Sequence, residues 1–200
     1  MAELRSFIFL DRLQPQTMSY LSTWMRGTLP RSDVAAQVIE VAPGLDIEAL
    51  TDIALKHADV SAGMLVVERQ YGYLEVHGGT DEVRSAATAV LEDLGVTTAA
   101  ATRPTVLASR IITNLDPQHA FLINRNKVGS MALAGQSLFV LEVQPASYAV
   151  LATNEAEKAA DITVVDFRMI GATGRVYLTG TEADVRQAAQ AAREALGDAT

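Results

Sequence analysis

The sequence predicts an α/β chain of the α+β kind, built as two tandem domains, each an antiparallel sheet with helices. Two observations predict it. The chain repeats itself at an offset of 102 residues, and each copy alternates strand-like and helix-like segments in the same order. At that offset Leu13, Pro15 and Gln16 fall on Leu115, Pro117 and Gln118, and IEVAP (39–43) falls on LEVQP (141–145). TDIALKHADV (51–60) falls on TNEAEKAADI (153–162), Gly78 on Gly180, Val83-Arg84 on Val185-Arg186, and Leu94-Gly95 on Leu196-Gly197. Several clusters in one gap-free register mark a tandem duplication. The halves are read as residues 1–97 and 103–200, joined near Gly95–Pro104, a small-residue linker that ends in proline.

Each half opens on a short apolar run with strand-like content, SFIFL or RIITNL. A loop with Pro15 or Pro117 follows, then a segment that reads as helical, Met18–Met25 or Ala120–Asn126. Strands AQVIEVA (36–42) and SLFVLEV (137–143) come next. Residues 46–57 and 147–159 then carry apolar side chains at helical spacing, Ile47, Leu50 and Ile53 in one, Ala149, Leu151 and Ala156 in the other. A hairpin follows in each half, GMLVVER with YGYLEVHG and ITVVDFR with GRVYLTG. The last helix opens at Thr80 or Thr181 as an N-cap with acidic residues in its first turn, and stops at Gly95 or Gly197 as a C-cap. The order is that of a ferredoxin-like β–α–β–β–α–β unit whose last strand has moved to the front, a circular permutation. Such a sheet has helices on one face, so its other face and its edges need partners.

Composition narrows the function. The net charge of −8 argues against a nucleic-acid surface, which needs clustered Lys and Arg. There is no cysteine, which removes disulfides, thiolate metal sites and a Cys nucleophile. The five-residue run SFIFL is too short for a signal-peptide core or a membrane span, so the chain reads as a soluble intracellular protein. His57, His77 and His119 lack metal-site spacing and read as surface or interface residues, and no phosphate-binding glycine motif is present. Glu40 and Glu142 lie inside the repeated strands and read as residues of an exposed or interface face. No catalytic residue, metal or cofactor is expected.

The segment IEVAPGLDIEALTDIALKHADVSAGMLVVERQYGYLEVHGGTDEV, with its second copy LEVQPASYAVLATNEAEKAADITVVDFRMIGATGRVYLTGTEADV, resembles the shell proteins of bacterial microcompartments. The likeness is to the tandem-domain, circularly permuted, trimeric class and covers nearly the whole chain twice. It implies a non-enzymatic homotrimer that forms a flat pseudohexagonal tile with a central pore in the shell of a cytoplasmic microcompartment. The implied partners are other shell proteins, both hexamers and pentamers, and small polar metabolites crossing the pore, with no nucleic acid and no membrane. Lys56 and Lys158 match the family's tile-edge lysine. The hairpin loops match its pore loop, which places Arg69, Gln70, Tyr71 and Gly72, and Ile170, Gly171, Ala172 and Thr173, at the pore lining. The second loop, RMIGATGR, follows the family's small-residue glycine pattern, whereas ERQYGY in the first half is bulky and keeps only Gly72. A trimeric ferredoxin-like regulator that binds a small effector between subunits is the alternative.

Overall fold

A computed structural model describes residues 2–126 and 129–197; the final residues of the second domain as read from the sequence, 198–200, lie outside them. The chain divides into two units, residues 1–103 and 104–200. The first contains β1 (Glu3–Leu10), α1 (Pro15–Leu21), β2 (Ala35–Ala42), α2 (Ile47–His57), β3 (Ser61–Glu68), β4 (Tyr71–Gly78) and α3 (Thr80–Leu94). The second repeats the order as β5 (Thr105–Ile112), α4 (Pro117–Asn126), β6 (Ser137–Gln144), α5 (Tyr148–Ala159), β7 (Thr163–Arg168), β8 (Gly174–Gly180) and α6 (Glu182–Ala195). The sheets run β1-β2-β4-β3 and β5-β6-β8-β7, antiparallel throughout. This is the order that the permuted ferredoxin-like unit requires.

The duplication extends to irregular features. A bulge interrupts the β1–β2 pairing at Arg5 and the β5–β6 pairing at Leu107, which are equivalent positions. A second pair of bulges falls at Gly63 and Val165. The Ala42–Pro43 and Gln144–Pro145 bonds are both cis.

In the first unit Ile39, Val41, Leu74 and Val76 face α2 and α3 and pack on Ile47, Leu50, Ala86 and Val90. Strand residues of the other parity point away from those helices. That second face is also closed, contrary to the sequence reading, because every residue of β2 but the last is buried. In the second unit Leu138 and Val165 bury against Ala120 and Ile123 of α4 and against Ala132 beyond it. In the first unit the segment after α1 docks on the β3 bulge, where the Arg26 and Gly27 amides donate to the Gly63 carbonyl oxygen.

Three local expectations change. Both early helices begin at their prolines, the position where a missing N–H costs nothing. Asp116 caps α4 by accepting from the amides of Gln118 and His119 at 2.8 and 3.2 Å. α1 is shorter because the Ser22 and Thr23 hydroxyls take the Met18 and Tyr20 carbonyls. Gly79, not Thr80, is the N-cap of α3, whereas Thr181 caps α6 through the Asp184 amide. The Gly95–Pro104 segment is not a free tether, since Val96 and Ala101 pack on the first core and a 3-10 turn spans Thr98–Ala100.

Candidate functional site

The repeated lysines occupy matched corners. α2 and α5 each end one residue after the lysine, and the next alanine, Ala58 or Ala160, is extended at φ −145° or −150°. The Val60 amide then donates to the Ala58 carbonyl at 2.9 Å, and the Ile162 amide to the Ala160 carbonyl at 3.0 Å. This three-residue turn, centred on Asp59 or Asp161, swings the chain from the helix into β3 or β7. The lysines themselves differ. Lys56 is 75 % exposed and pairs with Asp52 at 2.5 Å, one helical turn back. Lys158 is 23 % exposed and pairs with Glu155 at 2.8 Å.

The two loops sit at the opposite ends of the same strands. At about 3.3 Å per residue, the eight residues of β3 hold the corner and the hairpin roughly 23 Å apart. Arg69 and Gln70 make a two-residue turn between β3 and β4. Arg69 is 90 % exposed and has φ +56°, a left-handed conformation that tight hairpin turns ordinarily reserve for glycine. Gln70 Nε2 donates to the Tyr71 hydroxyl at 2.7 Å. Gly72 lies within β4 and is buried. A Cβ there would overlap the Gly44 carbonyl oxygen and approach the Ile47 Cβ to 2.7 Å, so this glycine lets the start of α2 pack on the strand. In the second unit the loop runs over residues 169–173, with Ala172 exposed and Ile170, Gly171 and Thr173 half-buried. Gly171, the counterpart of Arg69, has φ +121°.

Behind each loop stands a glutamate that the sequence reading placed on an exposed or interface face. Glu40 is instead fully buried, and Arg5 Nε donates to its Oε1 at 2.8 Å. The Arg5 guanidinium lies 4.1 Å from the centre of the Tyr71 ring. Burial works against the Arg5 charge, but the Glu40 carboxylate outweighs it and the net shift of its pKa is upward. Glu142 accepts from Thr173 Oγ1 at 2.7 Å and from Arg175 Nε at 3.2 Å. Those two bonds hold its carboxyl below the ordinary range. The sequence shows both as acidic positions repeated inside apolar strands, which marks them out but does not tell that Glu40 is covered.

His77 is likewise not a surface residue. It is buried and its Nδ1 lies 3.0 Å from Glu75 Oε1. His57 and His119 are exposed. Among the described residues no group of three or more His, Asp or Glu is placed to hold a metal, and no helix is long and apolar enough to cross a membrane.

Comparison with known proteins agrees with this architecture. Residues 4–100 match the CsoS1D N-terminal domain, and residues 137–200 match the BMC domain. The second match begins at the first residue of β6, which is the first strand of the unpermuted order. The chain is 48 % identical to the carboxysome shell protein CcmP of Synechococcus elongatus, covering 97 % of this chain and 92 % of that one. It is 45 % identical to the carboxysome shell protein CsoS1D of Hydrogenovibrio crunogenus, covering 98 % and 97 %. Among solved structures, the fused permuted hexameric shell protein from the RMM microcompartment is 75 % identical with a TM-score of 0.96, over 98 % of this chain and 96 % of that chain. The double-ringed trimeric shell protein from the same microcompartment is 42 % identical with a TM-score of 0.95, over 98 % and 97 %. These relatives are shell proteins, and they give no support to the alternative of a regulatory trimer. The chain belongs to the bacterial microcompartment shell proteins, as a tandem, circularly permuted BMC-domain member with a structural rather than an enzymatic role.

Proposed function

We propose that three copies of this chain close into a ring in which six BMC-type units imitate a hexamer, and that the ring tiles the shell of a microcompartment. Three two-unit chains give six units, which accommodates both a hexameric and a trimeric shell protein among the solved relatives. Lys56 and Lys158 sit at the tile edge, where hexameric and pentameric shell proteins are the neighbours. Arg69–Tyr71 and Ile170–Thr173 line the central passage, with Gly72 holding its loop close to α2, and small polar metabolites cross there. In the tandem layout the two BMC domains span residues 1–97 and 103–200, and the linker between them packs with the first compact unit.

The observation that carries this reading is that lysine corner and hairpin loop stand at opposite ends of one strand in both units. One end can meet an axis while the other meets a neighbouring tile. A bulky Arg69 kept in a backbone conformation suited to glycine supports a role for its side chain at the axis. Large exposed apolar side chains, among them Leu107, Phe121, Leu122, Met131 and Leu133, are surface that an isolated chain has reason to cover.

The test is assembly. Sedimentation should give about 64 kDa, three times 21.4 kDa, and electron microscopy should show flat sheets or tubes as concentration rises. A discrete trimer that saturably binds a small effector and never forms sheets would favour the regulatory alternative.

A further inference from the structure

Glu40 and Glu142 hold the same register in their sheets, opposite Tyr73 and Arg175, at positions the duplication equates. Their partners have diverged around a constant carboxylate. In the first unit the charge comes from Arg5, the residue that the β1 bulge leaves without a strand partner. A bulge re-aims its side chain, and here the guanidinium reaches both Glu40 and the face of Tyr71. Arg5 Nη2 is buried without an oxygen or nitrogen partner, and the Tyr71 π face offsets part of that desolvation. Tyr71 is tied in turn to Gln70 through its hydroxyl. In the second unit Leu107 occupies the bulge and is 49 % exposed. Its place beside the carboxylate is taken by Thr173 and Arg175, the counterparts of Tyr71 and Tyr73.

We propose that Glu40 and Glu142 are positioning residues for the two hairpin loops. Glu40 sets the first loop through the relay Arg5–Tyr71–Gln70, and Glu142 sets the second directly through Thr173. The duplication has kept the anchor and exchanged what it holds. One loop is fixed by a buried ion pair and an aromatic stack, the other by a single hydroxyl and an arginine. The proposal rests on the reading that these loops line the passage, and the experiment separates the two.

The full-length assembled protein is labelled with fluorotyrosine, which reports on Tyr20, Tyr71, Tyr73, Tyr148 and Tyr177; the Tyr71 resonance is assigned with Tyr71→Phe. Glu40→Gln and Arg5→Lys should each displace the Tyr71 fluorine resonance toward a second ring environment, a population change of roughly tenfold, the scale of one charge-assisted hydrogen bond. The Tyr148 and Tyr177 resonances, from the second unit, should stay in place, whereas Tyr73, directly opposite Glu40, is not used as a control. Glu142→Gln should leave Tyr71 unmoved and shift the Gly171 and Ala172 amide resonances. Passage of a small anionic dye through closed shells is measured alongside. An unchanged Tyr71 resonance in both Glu40→Gln and Arg5→Lys overturns the proposal, and so does a joint displacement of all five tyrosines, which would mark Glu40 as a general core charge. If Tyr71 moves while dye passage stays the same, positioning stands and the pore reading falls.

Discussion

His77 Nδ1 lies 3.0 Å from Glu75 Oε1 on one face of β4, with the two side chains 7 % and 0 % exposed. Gly63 makes room for the carboxylate, since a Cβ there would overlap Glu75 Oε2 and lie 2.7 Å from the Met25 sulfur. Burial raises the Glu75 pKa above 4.5, and the hydrogen bond and charge of His77 and the Gly63 amide only partly oppose it. A carboxyl with a raised folded pKa binds its proton more tightly in the folded state. Its contribution to stability is therefore full below about pH 4.5 and is lost as pH rises through the folded value. Glu75→Gln removes that titration, so its unfolding midpoint should fall less steeply than the wild type's above pH 4.5. Denaturant melts at several pH values check this, and parallel profiles would count against it.

Arg69 carries a left-handed backbone that glycine adopts without penalty, and its counterpart in the other hairpin is Gly171. A non-glycine residue in that region costs roughly 1–2 kcal/mol, part of which the greater freedom of an unfolded glycine takes back. Arg69→Gly should therefore leave the fold intact and stabilise it by up to about 1 kcal/mol, while altering dye passage through assembled shells. A drop in the thermal midpoint would show that the side chain holds the turn in place.

The register of the duplication carried most of the fold, because apolar periodicity and turn residues recur in both halves at the same positions. The boundaries of β4 and β8, YGYLEVHG and GRVYLTG, agree with the sequence reading residue for residue. The sequence reading starts the early helices three residues late because it assigns their prolines to a loop, whereas proline is the first helical residue in both. The buried Glu40, Glu75 and His77 were not legible for a different reason. Alternation in a strand identifies two faces but does not tell that both are covered, and part of the cover here comes from the irregular segment after α1, which brings Met25 against Gly63 beside Glu75. The loop partners followed from that omission: nothing in LRSFIF marks Arg5 as a bulge residue aimed at Tyr71.

The repeated lysines should separate in their cost to the folded chain. Lys56 is exposed, and its pair with Asp52 is of the helical surface kind worth about 0.3–0.5 kcal/mol. The Lys158 side chain is less exposed than that of Lys56, 23 % against 75 %, so more of its aliphatic stem packs in addition to its charge pairing. Lys158→Ala should lower stability more than Lys56→Ala, by about 1 kcal/mol against 0.5 kcal/mol or less, in equilibrium denaturation. The double variant should still sediment as the wild-type oligomer yet form fewer sheets by electron microscopy. Sheets of normal extent would remove both lysines from the tile edge.

Gly72 and Gly174 are equivalent, and each meets the chain at the start of the preceding helix, α2 or α5. A Cβ on Gly72 would overlap the Gly44 carbonyl oxygen and press on Ile47, and one on Gly174 would overlap the Ala146 carbonyl oxygen and lie 2.9 Å from the Ala149 Cβ. The obstructing oxygens are backbone, so relief requires α2 or α5 to retreat from its sheet rather than a rotamer to change. Gly72→Ala and Gly174→Ala should each cost about 1–3 kcal/mol by this overpacking. Gly95→Ala is the control: its Cβ would enter open space, and only the left-handed φ of +64° opposes it, for about 1 kcal/mol. The helix-packing variants should in addition disturb the adjoining loop, shifting the fluorine resonance of Tyr71 in Gly72→Ala but not in Gly95→Ala. Equal stability losses in all three, with Tyr71 unmoved, would mean that these strand glycines serve backbone conformation and not the approach of the helix.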